Sequence, residues 1–142
     1  MRSRTESSGG DSAGRPVILL VEDHQDTRQM YAEFMSVSFE VVPAADAQQA
    51  IEIMAASLPD LLITDLSLPG MDGFQLVAFI RKDSRLRGIP IICLSGYGGH
   101  AHEQRAREVG CDRILQKPCM PDALSEIALE VLHGVRDRAT GS

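Results

Sequence analysis

Polar side chains that could carry out chemistry follow short apolar runs at several points in the middle of the sequence. In chain order they are Glu22, Asp23, Asp65, Ser95 and Lys117. Three carboxylates that share one site repel one another, and their pKa values rise unless a cation lies among them. Hard oxygen ligands without Cys or His favour Mg²⁺. The residue types therefore predict an acidic site with Mg²⁺ as its cofactor.

The two remaining side chains suit a phosphoryl group. Lys117 offers a compact cation that would pair with a phosphoryl oxygen, and Ser95 offers a hydroxyl donor to another. An Asp carboxylate can act as a nucleophile and form an acyl phosphate. Mg²⁺, the lysine and the hydroxyl would then stabilise charge on the transferred group. The pattern predicts phosphoryl transfer onto a carboxylate.

Alternating strands and helices are predicted to position these residues. Apolar, β-branched runs at 17–21, 61–63 and 91–94 are typical of strands buried on both faces, and those at 39–42 and 113–115 suit sheet edges. Apolar residues recur at helical spacing between these runs. The predicted helices cover residues 26–37, 47–54, 72–82 and 100–109, with a last one that starts near Pro121.

Strands that alternate with helices predict an α/β fold, a doubly wound parallel sheet with helices on both faces. With right-handed crossovers, the flavodoxin-like (βα)5 arrangement with strand order 2-1-3-4-5 is the common one at this length. The first and third strands are then neighbours, so Asp23 and Asp65 are predicted to lie side by side at the carboxyl ends of the strands. Ser95 and Lys117 would come next across the sheet.

The composition is that of one globular domain. The 142 residues are 44% hydrophobic and 24% charged, with a formal net charge of −6. An acidic surface repels phosphates, so we expect no direct nucleic-acid partner. The run 17–21 is too short for membrane insertion, and residues 1–14 lack the apolar stretch of a signal peptide. We therefore predict a cytoplasmic protein.

Both ends of the chain lack apolar anchors. We expect a disordered tail at residues 1–14, the folded domain at 15–136 and a frayed tail at 137–142. No output domain is predicted after residue 135, which fits either a stand-alone protein or one domain of a larger chain.

The cysteines are predicted to have no metal or redox role. An odd count of three without a CxxC spacing argues against a disulfide framework or a zinc cluster. Cys93 is expected in the core, and Cys111 and Cys119 are expected as ordinary thiols.

The four histidines are also predicted to take no part in chemistry. Apart from the pair His100 and His102, they have no metal-like spacing with acids. That pair is more typical of a solvated helix start, and His24 and His133 are assigned no ligand role.

Four motifs, in order along the chain, resemble those of the receiver domain of two-component response regulators. They are Val21-Glu22-Asp23, Asp65-Leu66-Ser67-Leu68-Pro69-Gly70-Met71-Asp72-Gly73, Leu94-Ser95-Gly96 and Lys117-Pro118. The resemblance covers residues 16–135. Each motif alone is weak, but together they stand at the ends of the predicted strands, which makes the resemblance specific.

The resemblance implies a phosphoacceptor and a metal site. Asp65 would accept a phosphoryl group from the phosphohistidine of a histidine kinase or a histidine phosphotransfer protein. Asp23 would bind Mg²⁺ directly and Glu22 mostly through water. Asp65 itself and the backbone carbonyl of Ser67 would complete the protein ligands.

The resemblance also implies how the phosphoryl group is held and sensed. Lys117, with a cis bond before Pro118, would contact a phosphoryl oxygen, and Ser95 would swing towards the phosphate. The domain would promote its own Mg²⁺-dependent phosphorylation and dephosphorylation without being a conventional enzyme. It would signal by contact with a downstream protein target.

Three positions bear on the activation switch and on the lifetime of the phosphorylated form. Many receivers carry an aromatic residue three positions before the lysine, where this chain has Ile114. We therefore expect a small structural change on activation. Ser67 and Tyr97 occupy the positions that tune hydrolysis, and neither is an acid or amide that would hold an attacking water. We accordingly predict a long-lived phosphorylated form.

Two other functions could account for the same set of residues. A phosphatase or mutase of the haloacid-dehalogenase kind needs an acid two residues after its nucleophile, and Ser67 stands there instead. A pseudo-receiver would keep the fold as a binding module without phosphorylation. The acidic residues of the predicted site and Lys117 argue against a pseudo-receiver, although Ile114 leaves that alternative open.

Overall fold

The structure is a computed structural model that describes residues 14–96 and 99–141, and for residues 135–141 it describes the backbone alone. Strands and helices alternate along the described chain, as predicted. The strands are β1 (Val17–Val21), β2 (Glu40–Ala44), β3 (Leu61–Asp65), β4 (Ile91–Ser95) and β5 (Arg113–Gln116). The helices are α1 (Gln25–Met35), α2 (Ala47–Ala56), α3 (Gly73–Lys82), α4 (His100–Val109) and α5 (Pro121–Gly141).

The five strands form one parallel sheet in the order β2-β1-β3-β4-β5, which confirms the predicted topology. The central strands β3 and β4 are buried along their whole length, whereas β2 and β5 lie at the edges and are more exposed. Continuous apolar runs suit central strands because both of their faces are covered by helices.

Side chains from alternate strand positions build a core on each face of the sheet. Leu19 and Leu62 point towards α2, α3 and α4, and Ile18 and Leu61 point towards α1 and α5. Local signals set the ends of several helices. For example, Asp72 and Gln75 form a capping box at the start of α3, and Gly110 ends α4 with φ of 118°.

Cys93 lies in the core as predicted, but it forms a disulfide with Cys111, so the prediction that Cys111 is an ordinary thiol is wrong. The two residues are 18 positions apart in sequence, but the fold brings their Cα atoms to 6.4 Å, within the span of a disulfide. Cys93 points from β4 towards α4, and Cys111 follows that helix directly. Spacing along the chain carries no trace of this tertiary contact. Cys119 is a free, half-buried thiol.

The predicted tails can be compared with the structure only in part. The helix α5 continues in the backbone to Gly141, past the domain end predicted at residue 136. Residues 1–13 of the predicted N-terminal tail lie outside the described residues. Within the described chain, no helix combines the length and apolar character needed to cross a membrane.

Candidate functional site

The predicted site residues meet at the carboxyl ends of the strands. Glu22 follows β1, Asp65 ends β3 and Ser95 ends β4, and each of these three side chains is buried. Lys117 follows β5 directly. Because charged groups are rarely buried without a partner, this concentration of buried polar side chains marks the edge of the sheet where chemistry is expected.

Lys117 joins two of the buried carboxylates. Its Nζ donates to Oδ2 of Asp65 at 2.6 Å and to Oε1 of Glu22 at 3.2 Å. Its backbone N–H donates to the carbonyl of Ser95 at 2.8 Å, and the Lys117–Pro118 peptide bond is cis, as predicted. The lysine therefore supplies the positive charge that two adjacent buried acids require.

The charge state of Lys117 follows from these contacts. Burial by itself would lower the pKa of the ammonium group, but the hydrogen bond and the charge of Asp65, together with Glu22, outweigh burial and raise the pKa above its ordinary value. Lys117 is therefore a fixed cation across the physiological pH range.

Asp65 is also held through the backbone around it. Its Oδ1 accepts from the backbone N–H of Ser67 at 3.1 Å. The N–H of Gly73 donates to the carbonyl of Leu66 at 3.0 Å, which brings the start of α3 against this loop. A Cβ at Gly73 would meet the carbonyl oxygen of Asp65 and lie 2.6 Å from Cα of Leu66. Only glycine allows this approach, a constraint that the sequence alone did not reveal.

Three consecutive residues present possible metal-ligand atoms to one point. Oxygens of Glu22 and Asp23 and a ring nitrogen of His24 all lie within 4.8 Å of one another. Two of the four predicted metal ligands, Glu22 and Asp23, thus belong to one group, and Asp65 is linked to that group through Lys117. His24 was predicted to have no ligand role, and its ring lies against the carboxylates of the two residues before it.

Two contacts that the sequence did not reveal hold the segments that carry the site. Arg28 of α1 donates from a guanidinium nitrogen to the carbonyl of Glu22 at 2.8 Å. The hydroxyl of Tyr31 donates to the carbonyl of Cys119 at 2.6 Å, just beyond Lys117, and burial raises the pKa of this phenol. Helix α1 therefore fixes both the acidic segment and the lysine segment.

Ile114, which occupies a position expected to transmit a signal, lies on the α4 side of the sheet. Ile114 is partly buried there and pairs in register with Cys93, two residues before Ser95. Its aliphatic side chain lies where many receivers have an aromatic ring. Tyr97 lies outside the described residues.

Residues 18–129 match the family model of the response regulator receiver domain. Response regulator Rre1 of Synechocystis sp. is 33% identical over 117 residues, which are 81% of this chain and 51% of that protein, so the chain spans about half of its length. The polar-differentiation response regulator DivK of Brucella anthropi is 26% identical over 102 residues, covering 71% of this chain and 83% of DivK.

A solved structure of the chemotaxis protein CheY4 of Vibrio cholerae superimposes with a TM-score of 0.78 and 28% identity, covering 83% of this chain and 99% of that one. The segment matched by the family model, residues 18–129, includes every predicted site residue from Glu22 to Lys117.

Proposed function

The chain belongs to the family of response regulator receiver domains of two-component signalling, and we propose that Asp65 is its phosphoacceptor. The observation that carries this assignment is the ion pair between buried Asp65 and partly exposed Lys117, with 2.6 Å between Oδ2 and Nζ. A buried carboxylate at a strand end, next to a fixed cation, combines a nucleophile with a partner for the charge of the incoming group.

In the proposed transfer, an oxygen of the Asp65 carboxylate attacks the phosphorus atom of a phosphohistidine. A P–O bond forms while the P–N bond breaks, and the electron pair returns to the donor imidazole, which takes up a proton. Lys117 then pairs with a phosphoryl oxygen, and the hydroxyl of Ser95 donates to another. Water later attacks the acyl phosphate and releases inorganic phosphate, which restores the carboxylate.

The acidic residues fit the Mg²⁺ ion that receiver domains generally bind. Glu22 and Asp23 supply carboxylate oxygens, the ligand type that Mg²⁺ prefers, and we assign Asp65 and the backbone carbonyl of Ser67 to the same ion. When bound, Mg²⁺ supplies positive charge that offsets the negative charge of the acids and of the transferred group.

The proposed output is contact with another protein. Arg105, Arg107 and Glu108 are exposed on α4 and suit a polar, transient interface. The proposed donor is a histidine kinase or a histidine phosphotransfer protein, and the recipient of the signal is a downstream protein target. A cytoplasmic location, a lack of direct nucleic-acid binding and the domain limits 15–136 stay predictions.

The test is the intact mass of the chain after incubation with acetyl phosphate and Mg²⁺. We expect the gain of one phosphoryl group in the natural chain and in Asp26→Asn, a matched change at an exposed acid of α1. We expect no gain in Asp65→Asn or in the absence of Mg²⁺. A natural chain that is never phosphorylated would favour the pseudo-receiver alternative, which no observation otherwise supports.

A further inference from the structure

His24 lies at the N-terminal end of α1, but its side chain does not cap the helix. The residue occupies the N-cap position without a side-chain hydrogen bond to the first turn. Residues with a short oxygen-bearing side chain, such as Ser or Asp, are preferred at this position because that oxygen accepts a backbone N–H bond. The orientation of the imidazole ring therefore has another cause.

The ring of His24 faces the two acids that precede it. Its Nδ1 lies 3.3 Å from Oε2 of Glu22 and 3.7 Å from Oδ1 of Asp23. The backbone N–H of His24 donates to the same Oε2 at 3.1 Å, which fixes the residue beside Glu22. One nitrogen and two carboxylate oxygens thus converge on one point.

The separations between His24 Nδ1 and the two carboxylate oxygens are close to those of ligands that share one metal ion. Zn²⁺ binds imidazole nitrogen and carboxylate oxygen at metal–ligand distances of about 2.0–2.2 Å. Two ligand atoms of one ion therefore lie roughly 3.0–3.5 Å apart at tetrahedral or octahedral angles. The observed 3.3 Å and 3.7 Å need a shift of only a few tenths of an ångström.

The two oxygens of Glu22 are used on different sides. Oε1 contacts Lys117, whereas Oε2 faces His24. A cation on the His24 side therefore leaves the contact between Lys117 and Glu22 in place. The His24 ring is 74% exposed and Asp23 is 32% exposed, so the point between them is open to a hydrated ion.

We propose that His24 Nδ1 is a ligand of the metal site and raises its affinity for borderline divalent cations of the first transition row, such as Co²⁺ and Zn²⁺, relative to Mg²⁺. Mg²⁺ prefers oxygen ligands and keeps its water, whereas Co²⁺ and Zn²⁺ bind imidazole nitrogen well. His24 then acts as the residue that sets metal preference. This inference rests on the proposed metal site of the phosphoacceptor function.

The experiment compares the affinity of the full chain for CoCl₂, ZnCl₂ and MgCl₂ by titration calorimetry at one fixed pH. His24→Ala removes the ligand, and His24→Asn replaces the nitrogen donor with an amide oxygen. His100→Asn, a change at an exposed histidine of α4, is the matched control. A second readout is the imidazole nitrogen NMR signal of His24 during the Zn²⁺ titration.

Loss of even an outer partner of a metal ligand weakens binding by about tenfold, so loss of His24 should weaken Co²⁺ and Zn²⁺ binding by at least about tenfold. Mg²⁺ affinity should change by less than about twofold, because oxygen ligands hold that ion. The control should match the natural chain, and Zn²⁺ should shift the Nδ1 signal of His24.

Each contrary result has its own meaning. If the His24 variants lose affinity equally for all three metals, or for none, the proposed role of His24 is overturned. Binding of Mg²⁺ by the natural chain would in that case leave the phosphoacceptor proposal intact. A natural chain that binds no divalent cation and gains no phosphoryl group would instead refute the proposed function itself.

Discussion

Replacing Lys117 with methionine should destabilise the fold by removing the cation between two buried acids. The side chain of Glu22 is fully buried and that of Asp65 is 4% exposed, so Lys117→Met leaves two carboxylates with little access to water. Removing one partner of a buried ion pair costs about 3–5 kcal/mol, because the remaining charge is uncompensated. Lys117 is itself 25% exposed, and partial screening by solvent places the expected loss near the lower end, at about 3 kcal/mol.

Chemical unfolding in urea at neutral pH measures this loss directly. For a domain of this size, a loss of about 3 kcal/mol also lowers Tm by roughly 10 °C. Lys82→Met is the matched control, since Lys82 is exposed at the end of α3, and its free energy of unfolding should stay within about 0.5 kcal/mol of the natural value.

The pH dependence separates this cause from simple loss of packing. The folded-state pKa of Lys117 is raised above the ordinary 10.5, so its stabilisation is fully present below that pH and is lost as pH rises through the folded pKa. The difference between the natural chain and Lys117→Met should therefore shrink in strong alkali.

An unchanged free energy of unfolding at neutral pH would refute the reasoning. So would a difference that stays constant from neutral pH to strong alkali, since that result would assign the loss to the methylene groups of the side chain rather than to its charge. Added Mg²⁺ should restore part of the stability of Lys117→Met, because a second cation then lies among the acids.

Three further predictions follow from the same structure. Gly73→Ala should lower the free energy of unfolding by at least about 2 kcal/mol and slow phosphorylation, because the added Cβ displaces the backbone at Asp65. Gly88→Ala, where no atom lies within 4 Å of the added Cβ, should change both quantities little. Unfolding curves measure the stability, and intact mass measures the phosphorylation. Thiol labelling of the unfolded chain should modify one cysteine before reduction and three after it, and three reactive thiols before reduction would contradict the pairing. Reduction should lower the free energy of unfolding by about 3 kcal/mol, because the disulfide joins residues 18 positions apart. The acyl phosphate should persist for minutes or longer in Mg²⁺, since no acid or amide stands two residues after Asp65. Intact mass spectrometry over time measures this lifetime, and loss of the phosphoryl group within seconds would show that another group positions the attacking water.

The sequence predicted most of the fold because the relevant signals are local. Apolar runs of three to five residues marked β1, β3 and β4, and helical spacing marked the segments between them. Once these elements alternate, right-handed crossovers leave few topologies, and the observed strand order is the common one. The limits of α5 were less well predicted, since its last residues carry no apolar stripe.

The candidate site was predictable for the same reason. Strand ends are visible in the sequence, and parallel strands place all their carboxyl ends at one edge, so Asp65 and Lys117 were predicted to lie at the same edge of the sheet. What the sequence could not give was the direction of each side chain. Glu22, rather than Asp23, shares Lys117 with Asp65, and Arg28 of α1 donates a hydrogen bond to the backbone carbonyl of Glu22.

Amino-acid order by itself thus determined the alternating elements, their order in the sheet and the set of polar residues at its edge, because these follow from periodicity and chain connectivity. Tertiary structure alone decided the disulfide between Cys93 and Cys111, the turn of the His24 ring towards two acids, and the close approach at Gly73. Each of these depends on distances of a few ångströms between segments or side chains. Such distances are set by the packing of the whole domain, and no spacing along the chain encodes them.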